Sequence, residues 1–225
     1  MDSALEGTMK KLLFAIFLLS IPQTSYSQEI VWGSKDYSYL NIKCSKPNTL
    51  VRSRTLEEID EFKSHYSHRY LKTNLKKIVV CKNLSRSGMD WFRGTYSHQE
   101  KIVFVEVGDG EKNDTEYVLH HEFSSIVWLN KLTPEILTRW KANSNFKYDI
   151  DDNISSDWTV DDKLQETGAL FRYCRTTPEN DFNVIAAYYF SDYLRYSLNK
   201  SMKKHVRIRA KVTILLEIYE DVVER

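Results

Sequence analysis

The run Tyr117-Val118-Leu119-His120-His121-Glu122-Phe123-Ser124-Ser125-Ile126-Val127-Trp128 decides how this chain is read. It reads as a helix, and residues four apart on a helix share a face. His121 and Ser125 are then neighbours, with Glu122 beside them. The spacing is that of H-E-x-x-H, in which two imidazoles one turn apart grip a metal ion and the Glu takes a proton from the bound water. Ser125 stands where the second imidazole belongs. His120 does not replace it, because Ser124 lies four positions on and adjacent helical residues point about 100° apart.

Working outward, Tyr37 to Cys44 alternates enough for a strand. Thr55 followed by Glu58 is a capping-box pattern that starts a helix to about Leu71. Lys77 to Cys81 is a short apolar strand, and Ser85 to Tyr96 a loop with some edge-strand character. Lys101 to Val107 is a strand buried on at least one face, ended by Gly108-Asp109-Gly110. Asp114 or Thr115 caps the motif helix, which runs to about Lys131. Thr133-Pro134-Glu135 opens a helix to about Lys141, with Pro at its first position. A polar, acidic loop follows from Asn143 to Trp158, then a helix over Asp161 to Tyr173. Thr177-Pro178-Glu179 repeats the Pro-started opening for a helix to about Asn199, and a last helix covers Lys200 to Arg225 with Val206, Val212, Leu215, Leu216, Tyr219 and Val222 on its apolar stripe. Strands early and helices late predict an α+β domain, a small mixed sheet packed against helices with a helical C-terminal half.

In this order of elements around His121-Glu122 the chain resembles the zincin metallopeptidases of the gluzincin type, over roughly residues 37 to 199. That family has a helix, a mixed sheet, the H-E-x-x-H helix, and a later helix bringing an acidic third ligand. The resemblance implies His121 as first metal ligand and Glu122 as catalytic base. It sets Ser125 at the second-ligand position, Glu179 or Asp181 as the acidic ligand, and zinc as the ion. Some relatives carry that acid two residues after an aromatic, a place held here by Val184. A serine hydroxyl is a poor zinc donor beside imidazole, so the implied ligand set is incomplete. His98, in the loop before the 101–107 strand, is a further candidate to enter it.

Two functions follow from the resemblance. One is a metallopeptidase-related hydrolase with an altered metal site. The other is a non-catalytic domain of the same fold that binds a peptide or protein partner in the cleft. Outside the resemblance, His-His-Glu is read as a polar strip on the helix of an unrelated α+β adaptor. Glu179 and Asp181 are also explained by the helix dipole, which favours acids in a first turn. His65 and His68, at i and i+3 among polar neighbours, read as a solvated face. Tyr188, Tyr189, Tyr193 and Tyr196 read as a tyrosine-rich core helix or a peptide-binding wall, and Lys203, Lys204, Arg207 and Arg209 as the exposed face of the last helix.

The remaining features bound location and partners. Lys10-Lys11, the apolar Leu12 to Ile21 and Ser25-Tyr26-Ser27 have the form of a signal peptide over residues 1–27, with Met9 its more natural start. The apolar run is about ten residues against the roughly 20 that span a bilayer. An exported, periplasmic or extracellular chain without an integral span is therefore expected, folding as a single domain over 28–225. No lipidation cysteine closes the apolar run. With 32 basic and 31 acidic residues the net charge is +1, which gives no reason to expect nucleic acid as a partner. Aromatics reach 13% with few Gly and Pro, which suits a compact domain rather than a disordered one. Of Cys44, Cys81 and Cys174, the first two sit on neighbouring strand candidates and are the favoured pair, although three pairings are open. Cys174 would then be a free thiol on a helix.

Overall fold

The computed structural model describes residues 28–33, 37–86, 93–107, 114–149 and 161–224. The expected signal segment, the Gly108-Asp109-Gly110 turn and residues 150–160 of the acidic loop lie outside them. The described strands are β1 (Glu29–Trp32), β2 (Ile42–Cys44), β3 (Lys77–Cys81), β4 (Leu84–Arg86), β5 (Gly94–Ser97) and β6 (Ile102–Glu106). The described helices are α1 (Arg52–Ser64), α2 (His68–Asn74), α3 (Asp114–Lys131), α4 (Pro134–Ala142), α5 (Asp162–Glu166), α6 (Pro178–Phe190), α7 (Asp192–Lys204) and α8 (Val206–Ile218).

The main sheet runs β1-β3-β6-β5, with β1, β3 and β6 parallel and β5 antiparallel at the edge. β2 and β4 form a separate antiparallel pair. Side chains alternate across a strand, and both sides of β6 are buried. Val103 and Val105 join the helical core, while Ile102 and Phe104 pack with Tyr37, Ile42 and Leu84 on the other side. Cys44 of β2 and Cys81 of β3 form a disulfide that ties the small sheet to the large one, as expected. Cys174 is free and buried, within a short 3-10 turn at Arg172–Arg175, and burial pushes its thiol up to about 12.

Several expected boundaries move. Thr55 does not open the first helix: Asn48 caps a preceding 3-10 turn by accepting from Leu50 N, and α1 starts at Arg52. Thr55 instead donates its hydroxyl to Val51 O, and Glu58 accepts from Thr115 N at the start of α3. The helix expected through Leu71 breaks at His65–Ser67, where Ser67 N donates to Val222 O, Tyr66 bridges Val223 and His68 N donates to Glu224 Oε2. His65 therefore leaves the exposed face on which His68 remains. Tyr37 makes only a bridge to Ile42, with a 3-10 turn between them.

The helix expected over Asp161 to Tyr173 stops after α5, because Gly168 adopts φ 97° and an added Cβ would lie 2.2 Å from Asn143 O. The long helix from Pro178 divides at Ser191, whose backbone is extended, and the last helix begins only after His205. On α8 Val212 and Leu215 are buried as expected, with Tyr219 and Val222 just beyond it, whereas Val206 and Leu216 are exposed. Tyr193 and Tyr196 are likewise exposed, while Tyr188 and Tyr189 are half-buried. Thr133 and Thr177 do cap α4 and α6, each accepting from the residue three positions on.

Candidate functional site

α3 and α6 make the most extensive contact between helices, and β5 lies across α3. Glu179 and Asn183 are four apart on α6 and share its face toward α3. Gly94 and Tyr96 alternate on β5 and share its face toward the same helix. These three elements bring His121, Glu122, Ser125 and Glu179 into one neighbourhood.

His121 is buried, its ring tilted against Tyr117 and Tyr173 with centroids 6.2 and 5.9 Å away. Its Nδ1 has no hydrogen-bond partner. Burial pushes the imidazole down to about 4, so it is neutral at pH 7. Glu122 is half-buried, and loss of water with the nearby Glu179 charge pushes its carboxyl up to about 8. Gly94 makes room for it: a Cβ there would sit 2.6 Å from Glu122 Cγ and 2.5 Å from Val118 Cγ1. The Tyr96 hydroxyl donates to Glu179 Oε1 at 2.8 Å and lies within hydrogen-bond reach of Ser125. Asn183 Nδ2 donates to Ser125 Oγ at 2.6 Å. Burial and the charges of Glu122 and Glu179 raise the pKa of Tyr173, which closes the site from the 3-10 turn.

Asp181 belongs elsewhere, which corrects its place among the acidic ligands. Two positions on from Glu179, it points to the other side of α6. There it is fully buried, and its Oδ2 accepts from Lys211 Nζ at 2.6 Å, Tyr148 Oη at 2.7 Å and Trp140 Nε1 at 2.9 Å. Burial raises its pKa and Lys211 pulls it back. Lys211 also donates to Gly168 O at 2.7 Å. Val184, at the alternative ligand place, is a fully buried apolar residue. His98 is exposed and bonded to Asn130 Oδ1, and does not enter the site.

A catalytic zinc site needs three protein donors and an open fourth position. His121 and Glu179 are two. Ser125 is no third, because Asn183 and Tyr96 occupy its hydroxyl and a neutral hydroxyl competes poorly with imidazole. Among the described residues, the one group of three His, Cys, Asp or Glu donors within 4.8 Å of one another is His65, Glu116 and His120, not a set built on His121. The described residues at His121 therefore do not fit a three-ligand zinc centre.

Tyr96, Tyr173, Asn183 and Gly94 were not among the residues expected at the site. Only Asn183 carried a sequence signal, its i+4 relation to Glu179. The others arrive from distant segments.

A mixed sheet over a long His-Glu helix, with a later acid-bearing helix packed on it, defines an α+β architecture. A crystal structure from Bacteroides caccae ATCC 43185, described as a "putative zinc-binding metallo-peptidase", has this fold: TM-score 0.54 at 15% identity, over 94% of this chain and 85% of that one. At that identity the likeness establishes a metallopeptidase-like fold. No protein-family model and no curated protein sequence matches the chain.

Proposed function

We propose that this chain is an exported, metallopeptidase-related protein whose altered cleft binds an extended peptide or protein segment without hydrolysing it through zinc. The observation that carries the reading is the Asn183–Ser125 hydrogen bond at 2.6 Å, which fills the second-ligand position with a side-chain contact between α3 and α6. β5 supports the binding role. Among the described residues it is an edge strand of the main sheet, and an edge offers backbone groups to an added strand. Gly94 and Tyr96 on that strand border the cleft. The Cys44–Cys81 disulfide supports export, since such bonds persist in oxidising compartments. Among the described residues no helix is long and apolar enough to cross a membrane.

The test is a fluorogenic peptide library offered to the zinc-saturated chain, with hydrolysis and retention measured together. Retention without cleavage, weakened by Tyr96→Ala, is expected. Cleavage that disappears in Glu122→Gln would overturn the reading in favour of a working hydrolase.

A further inference from the structure

The helix that carries His121 carries different chemistry on another face. Glu116 and His120 are one turn apart on α3, with His120 Nε2 3.5 Å from Glu116 Oε1. His65, at the C-cap of α1, sets its ring edge-on to His120 with centroids 5.2 Å apart. The ligand atoms of all three lie within 4.8 Å of one another. Glu116 Oε1, His120 Nε2 and His65 Nε2 are all buried atoms without a hydrogen-bond partner. His120 is fully buried and Glu116 is 4% exposed, so water does not reach them freely.

We propose that His65, Glu116 and His120 bind one divalent transition-metal ion of the zinc class. Two imidazoles and a carboxylate suit zinc, nickel or iron(II), whereas calcium and magnesium take all-oxygen shells. Around a tetrahedral ion with bonds of about 2.0–2.1 Å, neighbouring donors stand about 3.3 Å apart. The 3.5 Å between His120 and Glu116 matches that spacing better than it matches a hydrogen bond.

The far nitrogen of His120 is already held: Nδ1 lies 2.7 Å from the Tyr66 hydroxyl. With Nδ1 protonated and donating to Tyr66, Nε2 presents its lone pair to the ion, the outer-shell arrangement that fixes a ligating imidazole. Phe190 stacks on the His120 ring and Phe62 tilts against it, so the imidazole has little freedom to turn away. The opening is at His65, whose Nε2 lies 3.6 Å from the exposed Glu61 carboxylate one turn earlier on α1. Glu61 or water completes the shell. Two Glu-x-x-x-His pairs, Glu61/His65 and Glu116/His120, thus meet from packed helices. Arg195 is the neighbouring cation, and Asp192 and the carbonyls of Tyr189 and Phe190 hold it.

The site is independent of the reading of the His121 cleft, and its test separates the two. The full chain, free of any polyhistidine tag and stripped with chelator, is titrated with Co2+ by visible absorption and with Zn2+ by calorimetry. One ion per chain is expected in the wild type and in His121→Ala. His65→Ala, at the rim where folding is least at risk, should weaken binding at least about 10-fold, and Tyr66→Phe should weaken it without abolishing it. Circular dichroism of each variant keeps a folding defect apart from a lost ligand. No uptake by the wild type at micromolar metal would overturn the proposal. So would uptake unchanged in His65→Ala, or uptake lost in His121→Ala alone, which would place the ion in the cleft.

Discussion

Lys211→Met is the most searching perturbation of the arrangement around α6. It would leave the Asp181 carboxylate, fully buried, with only the neutral donors Tyr148 Oη and Trp140 Nε1 at 2.7 and 2.9 Å. The ammonium at 2.6 Å would be gone, while Met refills most of the volume of the Lys stem. Removing one partner of a buried ion pair costs about 3–5 kcal/mol. Against a total stability of about 5–15 kcal/mol, that is about a fifth or more of the fold's margin. Adding Asp181→Asn removes the stranded charge and keeps an acceptor for Tyr148 and Trp140. The double variant should therefore recover much of the loss, with a coupling energy of about 2–3 kcal/mol.

Urea unfolding followed by tryptophan fluorescence measures all four corners of this cycle, with Trp140 as a reporter at the site. The single variant also has a pH signature. Burial already holds the folded-state pKa of Asp181 above its unfolded value beside Lys211, and removing the ammonium that pulls it back raises it further, so the folded variant binds the proton more readily. Stability of Lys211→Met should then rise, relative to wild type, as the pH falls toward 4. A loss below 1 kcal/mol, or two single-variant costs that simply add, would refute the structural role given to Asp181.

Three further outcomes follow from the described contacts. In chelator, wild type should lose stability relative to Glu122→Gln as the pH rises from about 4.5 to 8, because the folded state holds the Glu122 proton longer than the unfolded state does. The difference, about 2 kcal/mol once partial solvent exposure is allowed for, is read from unfolding midpoints across that range; parallel pH curves would count against the half-buried Glu122–Glu179 pair. Gly94→Ala should cost about 1–3 kcal/mol by overpacking β5 against Val118 and Glu122, and a melting temperature equal to wild type would show that the strand shifts freely. Cys44→Ser with Cys81→Ser should cost up to about 4 kcal/mol in the chain-entropy picture for a separation of 37 residues, matched by the effect of reductant on the wild type.

Local signals foretold the local features. Thr-Pro-Glu at 133 and 177 marked two helix starts because cap, proline and first-turn acid are all short-range chemistry. The apolar runs at 77–81 and 101–107 marked the central strands, and the Cys44–Cys81 pairing was favoured because the 37–44 and 77–81 strand candidates are neighbours in sequence. Missed features have causes far away in sequence. Ser191 breaks a helix without Gly or Pro, and Arg195 binds the Tyr189 and Phe190 carbonyls there. Thr55 looked like a cap because its pattern was right, yet Asn48 upstream had already started the turn. The choice between Glu179 and Asp181 needed the knowledge that Lys211 arrives from α8 to claim one of them. Glu61/His65 and Glu116/His120 are i, i+4 pairs that the reading of His65 with His68 as a solvated face passed over, and nothing local says that the two pairs face each other.

The stitch between residues 65–68 and 222–224 bears on the order in which the molecule assembles. Its bonds join residues as much as 156 positions apart, among the longest loops the chain closes. Closing such loops sacrifices chain entropy before any contact repays it, and folding rates fall as contacts become more distant in sequence. Until Val222 reaches it, the break after α1 is held only by local bonds, His65 N to Phe62 O and Tyr70 N to the Ser67 hydroxyl. The distant strand-like contact then locks an end that the local caps only mark.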